Sequence, residues 1–251
     1  RGCGVTRVVL SIGSNLGDRT ARLQAAVDGL GDSVRALSPV YETDAWGGVN
    51  QGPFLNAVVV ADDPALDGHG WLRLAQTLEQ DNERVREIRW GPRTLDVDLV
   101  CCHDGEREVL CRDQDLTLPH PLAHLRAFVM VPWLAVDPDA ELTLGEGRRP
   151  VQQLLAELDP ADREAVRLTD LVILDTDADN LPNWWEDQFG LSKTNAADAT
   201  LDLDGDGASN LNEFLAGTEP NDAASVFRIT ALQPAGGDLR VTWTTVGGKS
   251  Y

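Results

Sequence analysis

Asp96 and Asp98 stand two residues apart in the run Arg89-Trp90-Gly91-Pro92-Arg93-Thr94-Leu95-Asp96-Val97-Asp98-Leu99-Val100. Its second half alternates as a strand does, Leu95, Val97 and Leu99 on one face and both aspartates on the other. Two like charges held side by side are costly unless a cation lies between them. Paired carboxylate oxygens are the donors that hard divalent ions take. Arg89 and Arg93 flank a Gly-Pro turn just before the strand, and guanidinium groups there suit a polyphosphate approaching the same ions. The combination is the chemistry of magnesium-nucleotide transfer. On its own, an Asp-x-Asp pair reads as the solvated face of an edge strand; the flanking Arg-x-Gly-Pro-Arg decides for chemistry.

A second set of oxygen donors lies far downstream. Asp175, Asp177, Asp179, Asn183 and Glu186 occupy positions 1, 3, 5, 9 and 12 of one loop. Asp202, Asp204, Asp206, Asn210 and Glu213 repeat those positions in another, with Gly207 at position 6 for the sharp turn. The second loop follows the EF-hand calcium pattern throughout, and the first departs once, with Asn180 at position 6. Asn tolerates a left-handed backbone better than most residues. Each loop runs into a short helical pattern, 184–189 or 211–215, stopped by Gly190 or Gly217. One such loop is as readily an acidic linker; two at regular spacing point to calcium.

The elements that must position these groups can be read from periodicity. Residues 8–12 form an apolar strand ending in a Gly13–Asp18 turn, and Leu23, Ala26, Val27 and Leu30 give a helix stopped by Gly29 and Gly31. Residues 34–43 and 55–60 read as two strands, 71–85 as an amphipathic helix, 95–101 as the fourth strand, 122–134 as a helix and 151–158 as a closing helix. The order β-α-β-β-α-β gives an α+β fold, a ferredoxin-like βαββαβ sandwich. A small calcium-loop segment and an incomplete β-hairpin, residues 226–232 and 239–245, follow it. The expected division is 1–169, 170–225 and 226–251.

The chain has 251 residues, 41 acidic and 21 basic, a net charge of −20. Residues 170–225 hold thirteen acids against one base, Lys193. That balance argues against nucleic acid or an anionic membrane as partner and for cations. No apolar run reaches the roughly 20 residues that span a bilayer, and no signal peptide is visible. Cys3, Cys101, Cys102 and Cys111 lack C-x-x-C spacing and read as reduced thiols of a cytoplasmic domain. The chain opens at Arg1 and ends at Tyr251 inside a strand pattern, as a fragment would.

Residues 7 to about 160 resemble the 6-hydroxymethyl-7,8-dihydropterin pyrophosphokinase family. The resemblance is carried by Leu10-Ser11-Ile12-Gly13-Ser14-Asn15-Leu16-Gly17-Asp18, Tyr41-Glu42-Thr43, Phe54-Leu55-Asn56-Ala57, Glu79 with Arg84-Val85-Arg86, the run 89–100, Leu118-Pro119-His120-Pro121 and Arg126-Ala127-Phe128, in the family's order. It implies transfer of a diphosphate from ATP to a pterin alcohol, with AMP leaving. Asp96 and Asp98 would hold two magnesium ions, and Arg84 and Arg93 would join them as catalytic residues. Glu79, Arg84, Arg86, Trp90, Arg93, His120 and Arg126 would form the ATP side, with Trp90 in a lid. Phe54 and Phe128 would sandwich the pterin, and Asn56 and Thr43 would meet its polar edge. Asp44, Phe54 and Pro121 stand where relatives often carry Pro, Tyr and Tyr; none of these departures touches the metal pair. The acidic segment resembles thrombospondin type 3-like or dockerin-like calcium repeats.

The favoured expectation is a monomeric cytoplasmic enzyme whose partners are ATP and the pterin alcohol. Its rivals are a calcium-binding fragment of a secreted protein with an idle enzyme-like half, and a fusion of two unrelated reading frames.

Overall fold

The computed structural model describes residues 7–44, 51–82, 94–145, 147–235 and 238–244. Contacts divide the chain into two compact units, Arg1–Ile173 and Leu174–Tyr251.

The first unit is built on β1 (Arg7–Ser14), α1 (Arg19–Leu30), β2 (Val34–Leu37), β3 (Tyr41–Thr43), β4 (Phe54–Asp62), α2 (Gly68–Asp81) and β5 (Asp96–Asp104). Strands run β3-β4-β1-β5 across the sheet, each neighbouring pair antiparallel, and β2 also pairs with β4. Two interleaved β-α-β units give this order, so the α+β arrangement read from the sequence is the one observed.

The expected single strand over 34–43 is two strands. Ser38 and Pro39 divide it, and the Ser38 hydroxyl accepts the Val58 N–H at 2.9 Å and donates to the Pro39 carbonyl at 2.8 Å. α1 is capped by Asp18, whose carboxylate accepts the Ala21 N–H at 3.0 Å, and it ends at Gly31, φ 52°. Gly29, expected as part of the stop, lies inside the helix. A Cβ there would sit 2.2 Å from Leu78 Cδ2 of α2, so the glycine permits the two helices to approach closely. α2 begins three residues before the expected start, because Asp67 caps it through the Gly70 N–H at 2.7 Å.

Short strands β6 (Arg107–Glu108), β7 (Cys111–Arg112) and β8 (Thr117–Leu118) follow, then α3 (Ala127–Val136), a hairpin of β9 (Glu141–Leu144) and β10 (Gly147–Pro150), and helices α4 (Val151–Ala156) and α5 (Pro160–Glu164). β11 (Val166–Leu168) then returns to pair with β3 at the edge of the main sheet. Sequence periodicity gave no sign of that strand. The core on the α3 side joins Val9, Val58, Val100 and Cys101 of the sheet to Met130, Trp133, Leu142, Val151 and Leu154.

In the second unit, α6 (Asn183–Phe189) and α7 (Asn210–Ala216) each follow an acidic loop and end on Gly190 and Gly217 with φ 72° and 74°. A hairpin of β12 (Ile229–Ala235) and β13 (Asp238–Trp243) follows. Among the described residues no helix is long and apolar enough to cross a membrane.

Candidate active site

Directly opposed residues of antiparallel strands share a face. Along β1 the face toward α3 changes character. Val9, in the core, lies opposite half-buried Val60 and buried Cys101, whereas Ser11 lies opposite Asp98, and Gly13 lies between Asn56 and Asp96. The register of β1 on β5 shifts between Val9 and Leu10, which brings both Val100 and Cys101 into the core while Asp96 and Asp98 share the polar end. The alternation expected for β5 is present: Val97 and Leu99 are buried and both aspartates are half-buried.

Arg126, only 9% exposed, donates from Nη1 to Asp98 Oδ2 at 3.0 Å. Its guanidinium carbon also lies 5.6 Å from the centre of the Phe128 ring, within cation–π reach. One side chain therefore touches a carboxylate of the proposed metal pair and an aromatic of the proposed pterin slot. Glu79, expected on the ATP side, is 5% exposed and accepts the Val97 N–H at 3.0 Å. Val97 is the residue between the two aspartates, so α2 fixes the strand that presents them.

His120 donates its backbone N–H to Val100 at 2.8 Å, and its Nδ1 accepts the Leu122 N–H at 3.1 Å. Burial lowers its pKa, opposed by Asp98, so the ring is neutral near pH 7. With Nδ1 accepting, the proton of the neutral ring sits on Nε2, which is then a donor.

On β4 and β3, Asn56 Nδ2 donates to Thr43 Oγ1 at 2.7 Å, and both residues are nearly inaccessible. Gly13 makes this possible, since a Cβ there would lie 2.7 Å from Asn56 Oδ1 and 3.7 Å from Phe54 Cδ1. Phe128 and Thr43 line a cleft of about 220 Å³ whose other wall is Asp162, Ala165 and Val166. A larger cleft, about 850 Å³, opens at the far end of the same strands among Arg7, Arg35, Asp62, His103 and Arg148, away from the carboxylate pair. Arg84, Arg86, Trp90 and Arg93 lie outside the described residues.

The two acidic loops of the second unit share one backbone design. Asp175 accepts the N–H groups of Ala178 and Asn180, and Asp202 accepts those of Gly205 and Gly207, at 2.7–2.9 Å. Asn180 adopts φ 71° where Gly207 has φ 100°. Glu186 and Glu213 are fully buried, and burial with the neighbouring aspartates pushes each carboxyl up to about 7. Asn183 turns inward on its own loop, accepting the Thr176 N–H at 2.9 Å and donating to Thr176 Oγ1 at 2.7 Å. Asp198, outside the loop pattern and unmarked by the sequence reading, joins Asp179 and Glu186 in a buried group.

Residues 9–138 match the family model described as 7,8-dihydro-6-hydroxymethylpterin-pyrophosphokinase. The chain is 61% identical over 169 residues to a 2-amino-4-hydroxy-6-hydroxymethyldihydropteridine pyrophosphokinase of Mycobacterium bovis, covering 65% of this chain and 90% of that protein. It is 61% identical over 175 residues to the protein of the same description from Mycobacterium leprae, covering 67% and 92%. Among solved structures, a Plasmodium falciparum HPPK-DHPS crystal structure aligns at TM-score 0.43 and 11% identity, over 61% of this chain and 44% of that one; the chain thus spans less than half its length.

Proposed function

We propose that the carboxylate pair on β5 is the centre of diphosphate transfer from ATP to a pterin alcohol, the premise being that this chain belongs to the 7,8-dihydro-6-hydroxymethylpterin-pyrophosphokinase family. The chain is a folate-pathway pyrophosphokinase, as its relatives at 61% identity are. In this reaction the hydroxymethyl oxygen of the pterin bonds to the β-phosphorus of ATP, the bond from that phosphorus to the α-phosphate oxygen breaks, and AMP leaves.

The observation that carries the assignment is the pair Asp96 and Asp98 side by side at the polar end of the sheet, with Arg126 3.0 Å from Asp98. The donor set is oxygen alone on one strand face, which fits two magnesium ions held by Asp96 and Asp98. Magnesium bound there supplies neutralisation of phosphate charge and polarisation of phosphoryl oxygens. Arg126 orients Asp98 and adds positive charge beside the phosphates, and Glu79 holds the backbone between the aspartates. His120 offers Nε2–H to the nucleotide. By the family pattern, Arg84, Arg86 and Arg93 serve the triphosphate and Trp90 belongs to the ATP side. Thr43 and Asn56 meet the polar edge of the pterin, and Phe54 and Phe128 its faces. Catalysis of this kind is mostly positioning and charge stabilisation.

We place the reaction in the cytoplasm and take the monomer as its unit; the free thiols of Cys101, Cys102 and Cys111 suit a reducing compartment. The test is AMP release from magnesium-ATP with 6-hydroxymethyl-7,8-dihydropterin. Wild type should form AMP only with the pterin present, and Asp96→Ala should lose about 10²–10³-fold in kcat, the scale for losing one main electrostatic stabiliser. Equal rates would remove the assignment.

A second reading concerns the other unit. Buried Glu186 and Glu213, each with carboxylate oxygen that meets no protein donor, support calcium binding by the loops 175–186 and 202–213, in the manner of thrombospondin type 3-like or dockerin-like repeats. The loop pattern offers Asp175, Asp177, Asp179, Asn183 and Glu186 in one, and Asp202, Asp204, Asp206, Asn210 and Glu213 in the other. Calorimetric titration of the calcium-free chain should give two sites.

A further inference from the structure

We propose that Asp198 is a calcium ligand of the first loop, in place of Asn183, and that through Asn210 it joins the two loops into one binding unit. The inference rests on the calcium reading above and assigns a ligand that the loop spacing does not contain.

Asp179, Glu186 and Asp198 are 8%, 0% and 4% exposed, and one carboxylate oxygen from each lies within 4.8 Å of the others. Both oxygens of Glu186, Oδ2 of Asp179 and Oδ1 of Asp198 are buried and meet no donor from the protein. Three carboxylates converging out of water, with four oxygens uncommitted, are strongly unfavourable unless a cation joins them. The donors are all oxygen, without imidazole or thiolate, which selects a hard cation over zinc. The set also draws on several carboxylates, which suits calcium better than the stricter octahedron of magnesium.

Asp198 is held for this purpose. Its Oδ2 accepts the Ser192 N–H at 2.8 Å, which fixes the carboxylate and leaves the buried Oδ1 without a protein donor. Asn183, at the position where the loop pattern expects a ligand, has both its polar atoms engaged with Thr176. The second loop lacks that substitution: Asn210, fully buried, keeps Oδ1 free of any protein donor. Its Nδ2 instead donates to the backbone carbonyl of Asp198 at 2.8 Å. One residue thus gives its side chain to the first site and its carbonyl to orienting a ligand of the second.

The test uses the full chain, stripped of metal, titrated with terbium and followed by luminescence sensitised through Trp184 and Trp185, then with calcium by calorimetry. Asp198→Asn retains an oxygen that can accept the Ser192 N–H, and near-UV circular dichroism checks that its fold is kept. It should weaken one site at least tenfold, whereas Asn183→Ala should change affinity by less than threefold. Carbon-13 carboxyl spectra of the unaltered chain need no folded variant: Asp198 and Glu186 should shift together as calcium is added. Wild-type affinity in a folded Asp198→Asn variant, a larger loss in Asn183→Ala, or an unmoved Asp198 resonance would overturn the inference while leaving calcium binding intact. An absence of terbium and calcium binding in wild type would overturn the calcium reading itself.

Discussion

Glu79 of α2 accepts the backbone N–H of Val97 at 3.0 Å, and Val97 is the residue between Asp96 and Asp98. A buried carboxylate on one element therefore fixes the backbone that presents two carboxylates from another. Glu79→Ala leaves that buried N–H without its acceptor, which costs about 1–3 kcal/mol of unfolding free energy. It should also raise the magnesium concentration for half-maximal AMP formation several-fold, since the aspartates lose their fixed spacing. Glu79→Gln keeps a carbonyl acceptor and should lose less on both counts. Urea unfolding and magnesium titration of the rate check this together.

Gly13 carries a separate expectation for the pterin side. A Cβ there meets Asn56 Oδ1 at 2.7 Å, closer than side chains pack, and Asn56 is tied to Thr43. Gly13→Ala should push the amide off Thr43 and raise the pterin KM about tenfold, ~1.4 kcal/mol of binding. The KM for ATP should change little. Steady-state kinetics with each substrate varied in turn would show it.

Much of this was legible in residue types and periods. The β5 alternation, the β-α-β-β-α-β order of elements and the two acidic loops follow from local pattern, because side-chain spacing determines which face each residue occupies. What was missed depended on distant partners. A Glu on a helix reads as solvated until Val97 is known to lie against it. Gly29 reads as a stop until Leu78 is placed beside it. β11 pairs with β3 across more than 120 residues of chain, and Asp198 reaches its loop by a turn that no spacing rule includes. Ser38 and Pro39 did carry a local sign of a strand break, since Pro lacks the ladder N–H.

His103, on β5 at the far end of the sheet from the aspartates, gives a pH dependence. Burial lowers its pKa; Arg148 and Arg7 lower it further, against Glu108 and Asp137, which raise it. The unfolded chain, with an ordinary histidine near 6.5, therefore binds a proton that the folded protein resists. Stability present above pH 6.5 is lost as pH falls from there toward the lowered folded value. His103→Gln should flatten that decline. Urea midpoints at pH 7.5, 6.5 and 5.5 for both proteins would measure it as the difference between them, in which the contributions of His120, lowered by burial, and of Glu186 and Glu213, raised to about 7, cancel.

Arg126 is the side chain whose loss should be felt on both substrates. Its Nη1 reaches Asp98 at 3.0 Å and its guanidinium carbon lies 5.6 Å from the Phe128 ring centre. A lysine supplies charge to one of these partners but has no planar fork to serve both. Arg126→Lys should therefore raise the KM for ATP and for the pterin alcohol together and lower kcat/KM about 10–100-fold, ~1.4–2.7 kcal/mol. Gly13→Ala, by contrast, should move the pterin KM alone. If Arg126→Lys shifted only the ATP constant, the guanidinium would be serving Asp98 without steadying Phe128, and the pterin slot would have to be organised by Thr43, Asn56 and Phe54.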